Sequence, residues 1–145
     1  MFLLRLKNFI TTVFALILSI FLLFILTMGG RNRLSLLDGK RTFYLYSASS
    51  QAIIKEEITP LELLWVKGES VRFSYTDKEQ SLREILRLYR AEVVFEEAVG
   101  GVHSYYCRTQ EWGQTTKING VFVNLHIAFR EGVCVAGTPL IFGGF

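Results

Sequence analysis

The side chains best suited to covalent or metal chemistry in this 145-residue sequence are two cysteines, Cys107 and Cys134, and two histidines, His103 and His126. A thiolate nucleophile needs a base, and the base needs an orienting acid. Cys107, a histidine and Glu96 are therefore the one set that could be imagined to do thiol chemistry. Nothing in the spacing singles it out, since two histidines and a cysteine on strands are more often structural or surface residues. The cysteines are 27 positions apart and the histidines make no helical ligand pair, so no metal site is expected. The sequence contains no nucleophile elbow, P-loop or dinucleotide fingerprint, so no cofactor is expected either. Gly143-Gly144-Phe145 is too generic for a phosphate site. Cys107 and Cys134 then read in one of two ways, as buried small thiols or as a disulfide. A bond requires the strand of Cys107 to lie within bridging distance of the last strand, and it suits an extracytoplasmic domain.

The elements that must position these groups follow from hydrophobic period. Val121, Val123, Leu125, Ile127 and Phe129 place an apolar side chain on every second position after Asn119-Gly120, a type I′ turn pair, which predicts a strand with one apolar face. On that alternation Asn124 and His126 share the other face, so Val123→Asp should unfold the domain and Asn124→Asp should be tolerated. If Glu131-Gly132 is a two-residue loop, Cys134 sits opposite Phe129 on the apolar side. The final run, 133–142, returns as a strand that must be at an edge or broken at Pro139, which has no N–H to donate.

Upstream, Val71, Phe73 and Tyr75 alternate with Ser70, Arg72 and Ser74. With the run 61–66 and Lys67-Gly68 between, this predicts a hairpin. Thr76 and Glu79 form a capping box, after which Leu82, Ile85, Leu86 and Tyr89 recur at helical spacing, with Arg83, Arg87 and Arg90 on a solvated face. Strands are expected at 93–95 and 102–107 about Gly100-Gly101, and a broken edge strand over 43–54. The order implies an α+β fold: an antiparallel sheet with one amphipathic helix packed on its apolar face, a two-layer sandwich.

Before this domain, the stretch that opens on Phe9 and closes on Met28 holds twenty residues without a charge or a proline. At 1.5 Å per residue it spans roughly 30 Å, the thickness of a bilayer core. Thr11, Thr12 and Ser19 are tolerable there because their hydroxyls can bond back to carbonyls one turn earlier. A signal peptide cut after Gly29 is the competing reading, but its apolar core would run only about 7 to 15 residues. The expected organisation is thus 1–30 as an uncleaved transmembrane signal anchor, 31–41 as a juxtamembrane collar at headgroup level, and 42–145 as the soluble domain.

Charge divides along the same line. Residues 1–41 carry six basic side chains against Asp38, a net of +5, whereas 42–145 carry ten basic and twelve acidic, a net of −2. A domain without a basic face is a poor nucleic-acid binder, so none is expected. Arg31, Arg33, Lys40 and Arg41 outnumber Arg5 and Lys7, which by the positive-inside rule would hold the domain in the cytoplasm. The eight-residue tail before the anchor is instead the usual layout of segments that export the domain C-terminal to them, and a plasma-membrane protein with its C-terminal domain outside is expected.

The runs 104–107 (SYYC), 123–128 (VNLHIA) and 137–143 (GTPLIFG) resemble those of short envelope proteins of Gram-positive bacteria, spore formers among them, whose function is unassigned. More loosely, the C-terminal part is similar to the YwmB-type family, whose fold is described as like that of the TATA-box-binding protein. The resemblance spans about the last 45 residues and carries over no functional residue. It implies an envelope setting, and no DNA binding, since fold does not carry function. The expected function is a non-enzymatic interaction or assembly domain held at the membrane with a protein partner in the envelope. A membrane-tethered thiol enzyme and a sensor of an envelope ligand are the alternatives.

Overall fold

The computed structural model describes the backbone of residues 1–28 and 33–143 and divides the chain into two compact units, 1–31 and 32–145. The first is a single helix, α1 (Phe2–Met28). Phe9, Phe14, Ile17, Leu23 and other apolar side chains around it are exposed. The segment Arg5–Phe24 is long and apolar enough to cross a membrane. The hydroxyls of Thr11, Thr12 and Ser19 donate to the carbonyls of Lys7, Asn8 and Ala15 at 2.8–2.9 Å, so none of these three is left to demand water. The Gly29-Gly30 stop, the cut after Gly29, Arg31, and Gly144-Phe145 lie outside the described residues.

The second unit is α+β. Its strands are β1 (Lys40–Leu45), β2 (Ile53–Lys55), β3 (Val66–Ser74), β4 (Ala91–Val99), β5 (Val102–Thr109), β6 (Thr116–Ile118), β7 (Val121–Val123), β8 (Leu125–Arg130) and β9 (Val133–Thr138). Seven form one antiparallel sheet in the order β2-β1-β3-β9-β8-β5-β4, and β6 and β7 make a separate hairpin. α2 (Lys78–Leu88) lies on one face of the sheet. Leu82, Ile85 and Tyr89 bury there against Val71, Ile127, Phe129, Cys134 and Tyr105. The helix begins one residue later than the capping box implies: Asp77 is the cap, accepting from the Gln80 N–H at 2.9 Å.

The Glu131-Gly132 loop has φ of 47° and 80°, and Phe129 faces Cys134 across it as the two-residue turn requires. Two expectations need correcting. The hairpin about Lys67-Gly68 does not form: Glu62–Trp65 is a 3-10 helix and β3 runs straight through both residues. Gly68 is there for close approach, since a Cβ would meet the Thr138 carbonyl oxygen at 2.6 Å. The chain at 43–45 is no edge, because β1 lies between β2 and β3. The last strand is central, between β3 and β8, and of the two alternatives it takes the break at Pro139, ending at Thr138. From Pro139 the chain leaves the ladder and folds as a strap across the sheet face opposite α2. Gly137 makes room for it, as a Cβ there would come within 2.8 Å of Ile141 Cγ1.

The collar is part of the domain core. Leu34 is fully buried and Leu37 nearly so, both within the cluster under α2. The Arg41 guanidinium donates to the carbonyls of Ser35 and Leu37 at 3.1 and 3.0 Å and holds the turn closed.

Candidate functional site

β5 places His103, Tyr105 and Cys107 on the helix side, and cross-strand pairing brings Glu96 of β4 beside Tyr105. His103 and Glu96 do meet, with His103 Nε2 3.3 Å from Glu96 Oε2. On the ring's other side Lys78 Nζ lies 2.9 Å from His103 Nδ1. An ammonium can only donate, so Nδ1 accepts, and the proton sits on Nε2 and points at Glu96. His103 is thereby engaged on both nitrogens. It stacks on Tyr105 at 4.6 Å, and Cys107 lies four positions along the same strand with Tyr105 between. At about 3.4 Å per residue that is roughly 13 Å, beyond direct proton transfer.

Both thiols are free and fully buried. β8 separates their strands, putting them roughly 9–10 Å apart across the sheet before any offset along it, whereas a disulfide needs Cα atoms within about 7 Å. The bond weighed from the sequence is therefore not made here. Burial pushes each thiol up to about 12. A thiol so held is neither nucleophile nor metal ligand at neutral pH. Both should resist maleimide in the native chain and react once it is denatured, with no need of reductant. Labelling of Cys107 at the rate of a free thiol under native conditions would restore it as a reactive group.

His126 sits on the opposite face in a stack of rings, with Tyr106 4.4 Å away and Phe95 4.3 Å beyond that. Its Nδ1 accepts from the Ile141 N–H at 3.4 Å, and its Nε2 is buried without a partner. Burial pulls it down to about 4, so it is a neutral ring at physiological pH, bracing the strap. Among the described residues no group of three or more metal-ligating side chains comes together.

Two buried polar residues escaped the sequence reading. Asn124 is fully buried at the break between β7 and β8. Its Oδ1 accepts from the Thr109 N–H at 2.8 Å, and its Nδ2 donates to the carbonyls of Thr109 and Trp112 at 2.8 and 3.0 Å. It ties down the loop that leads from β5 to the β6–β7 hairpin. The alternation put it on a solvated face, and no local signal announced the loop that covers it. Glu69 is 1% exposed, and its Oε1 accepts from the Leu34 N–H at 2.6 Å. Its Oε2, the hydroxyl of its cross-strand partner Thr138, and the Tyr89 hydroxyl are all buried without a partner. Here a signal did exist: Glu69 shares the parity of Val71, Phe73 and Tyr75, the apolar face of β3.

No family model, curated protein or solved structure matches the chain.

Proposed function

We propose that this chain is a single-pass membrane protein of the cell envelope, inserted N-in by α1, whose domain lies outside the cytoplasm and works by binding a partner rather than by covalent catalysis. The observation that carries the anchor is α1 itself: twenty apolar-dominated residues at Arg5–Phe24 with mean hydropathy 2.1 and none of them buried within the chain. Around it, each fully exposed Leu, Ile or Phe left in water forgoes roughly 1.5–3 kcal/mol, and a bilayer recovers it. The binding role is supported by the state of the chemical groups, with both thiols sealed in the core and His103 held between Lys78 and Glu96. The envelope setting rests on the resemblance of the segments 104–107, 123–128 and 137–143 to short envelope proteins. A thiol enzyme would require Cys107 to leave the core.

The chain should sediment with membranes after carbonate extraction at full length, and a reporter fused after Phe145 should be active only outside the cytoplasm. Release by carbonate, or a mature chain beginning at Gly30 or Arg31, would end the anchor. A reporter active in the cytoplasm would reverse the orientation and leave the anchor standing.

A further inference from the structure

The sheet face opposite α2 carries a cleft of about 190 Å³ whose polar side is made by Thr42 and Tyr44 of β1 and Ser70 and Arg72 of β3. Its apolar side includes Ile141 and Phe142 of the C-terminal strap. The strap is a fixed wall. The Phe142 N–H donates to the Tyr44 hydroxyl at 3.3 Å, and the two rings meet edge to face at 5.3 Å. Ile141 is held by His126 on the other side.

Tyr44 Oη accepts from the Phe142 N–H and is hydrogen-bonded to Ser70 Oγ at 2.8 Å, where either hydroxyl can donate. With Tyr44 donating, the Ser70 proton is left for a ligand in the cleft. Thr42 pairs with Ser70 across the strands and adds a second hydroxyl to the same side. Arg72, two residues along from Ser70 on this face, makes no side-chain hydrogen bond or ion pair among the described residues. Among the described residues no acidic side chain lines the cleft. Its converging polar groups are therefore a guanidinium fork and hydroxyl donors, the set that recognises an oxyanion. One cation beside an apolar wall suits a monoanion bearing an aliphatic group better than a phosphate dianion.

We propose that this cleft binds a small aliphatic carboxylate, with the carboxylate on the Arg72 fork and the Ser70 hydroxyl and the alkyl group against Ile141 and Phe142. The inference stands whichever side of the membrane the domain occupies. The same chemistry is offered by a free acid and by the carboxyl terminus of a peptide ending in a small aliphatic residue.

The test uses the full chain in uncharged nanodiscs at constant ionic strength, titrated with isobutyrate, N-acetylvaline, the neutral isostere isobutyramide, and inorganic phosphate, with the unfolding temperature as readout. The expected result is a saturable rise with isobutyrate, weakened at least tenfold in Arg72→Gln and several-fold in Ser70→Ala, and absent with isobutyramide. Arg72 is exposed, so the unliganded Arg72→Gln chain should melt with the parent and report on binding alone. A tighter response to N-acetylvaline than to isobutyrate would support the site and assign it to peptide termini. An equal response to isobutyramide, or an unchanged titration in Arg72→Gln, would overturn the proposal. Phosphate saturating as readily as isobutyrate would overturn the monocarboxylate assignment.

Discussion

Asn124→Asp is expected to unfold the soluble domain of the otherwise intact chain. The substitution keeps the shape and the acceptor toward the Thr109 N–H, but it replaces a donor of two hydrogen bonds by an oxygen that faces the carbonyls of Thr109 and Trp112. The site is fully buried, so no water can turn in to relieve three oxygens set against one another. An uncompensated buried charge of this kind costs about 3–5 kcal/mol, a large share of the roughly 5–15 kcal/mol that holds a domain of this size together. Protonation restores one donor, so the damage should ease in acid. Val123→Asp, at a neighbouring position that is also fully buried, should be as severe. Thermal unfolding of the full chain in mild detergent checks both. A variant Asn124→Asp that melts with the parent would show that the side chain is in solvent, as the alternation alone suggests.

Glu69→Gln should act in the opposite direction and stabilise the domain at neutral pH. Burial is the dominant influence on Glu69 and raises it above the usual carboxylate range, outweighing the Leu34 N–H and the positive charges of Arg41 and Arg33. Tyr89, pushed up to about 12 by its own burial and by Glu69, supplies no countercharge. Below the ordinary glutamate value both the folded and unfolded chains are protonated at this site, and its ionisation costs nothing. As pH rises, the unfolded chain gives up the proton first. The folded chain binds more protons through that window, so stability falls until the folded carboxyl has also ionised. Each unit of elevation costs about 1.4 kcal/mol above the window. A glutamine keeps the acceptor for the Leu34 N–H and has no charge to bury. The unfolding temperatures of parent and variant should therefore coincide in acid and separate as pH rises through the window, the variant the higher. Glu69→Ala should be less stable than the parent at every pH, because the Leu34 N–H is then buried without an acceptor, a loss of roughly 1–3 kcal/mol. A parent and Glu69→Gln that separate in acid and converge at neutral pH would refute the account.

Local pattern determined a good deal of this protein. Twenty uncharged residues are enough to specify a helix that can span a bilayer, because its length and polarity are set within the segment itself. The spacing of Leu82, Ile85 and Tyr89 specified α2, and the parity of Leu125, Ile127 and Phe129 specified one face of β8, because a helix or strand presents its faces at a fixed period whatever it packs against. The two-residue turn at Glu131-Gly132 even fixed which residue faces Cys134. Tertiary structure decided what no period encodes, namely which strands become neighbours and what covers each face. Strand order put β8 between the two cysteines. The fold-back at Pro139 built a wall on a face that alternation assigned to water, and the loop after β5 closed over Asn124. The collar, polar enough to read as a surface segment, was drawn inward at Leu34 and Leu37 by a carboxylate 35 residues away in sequence. These outcomes turn on contacts between residues far apart in the chain. Their free energy exists only once the sheet has formed, so the residues that make them carry no local mark of the role they will take.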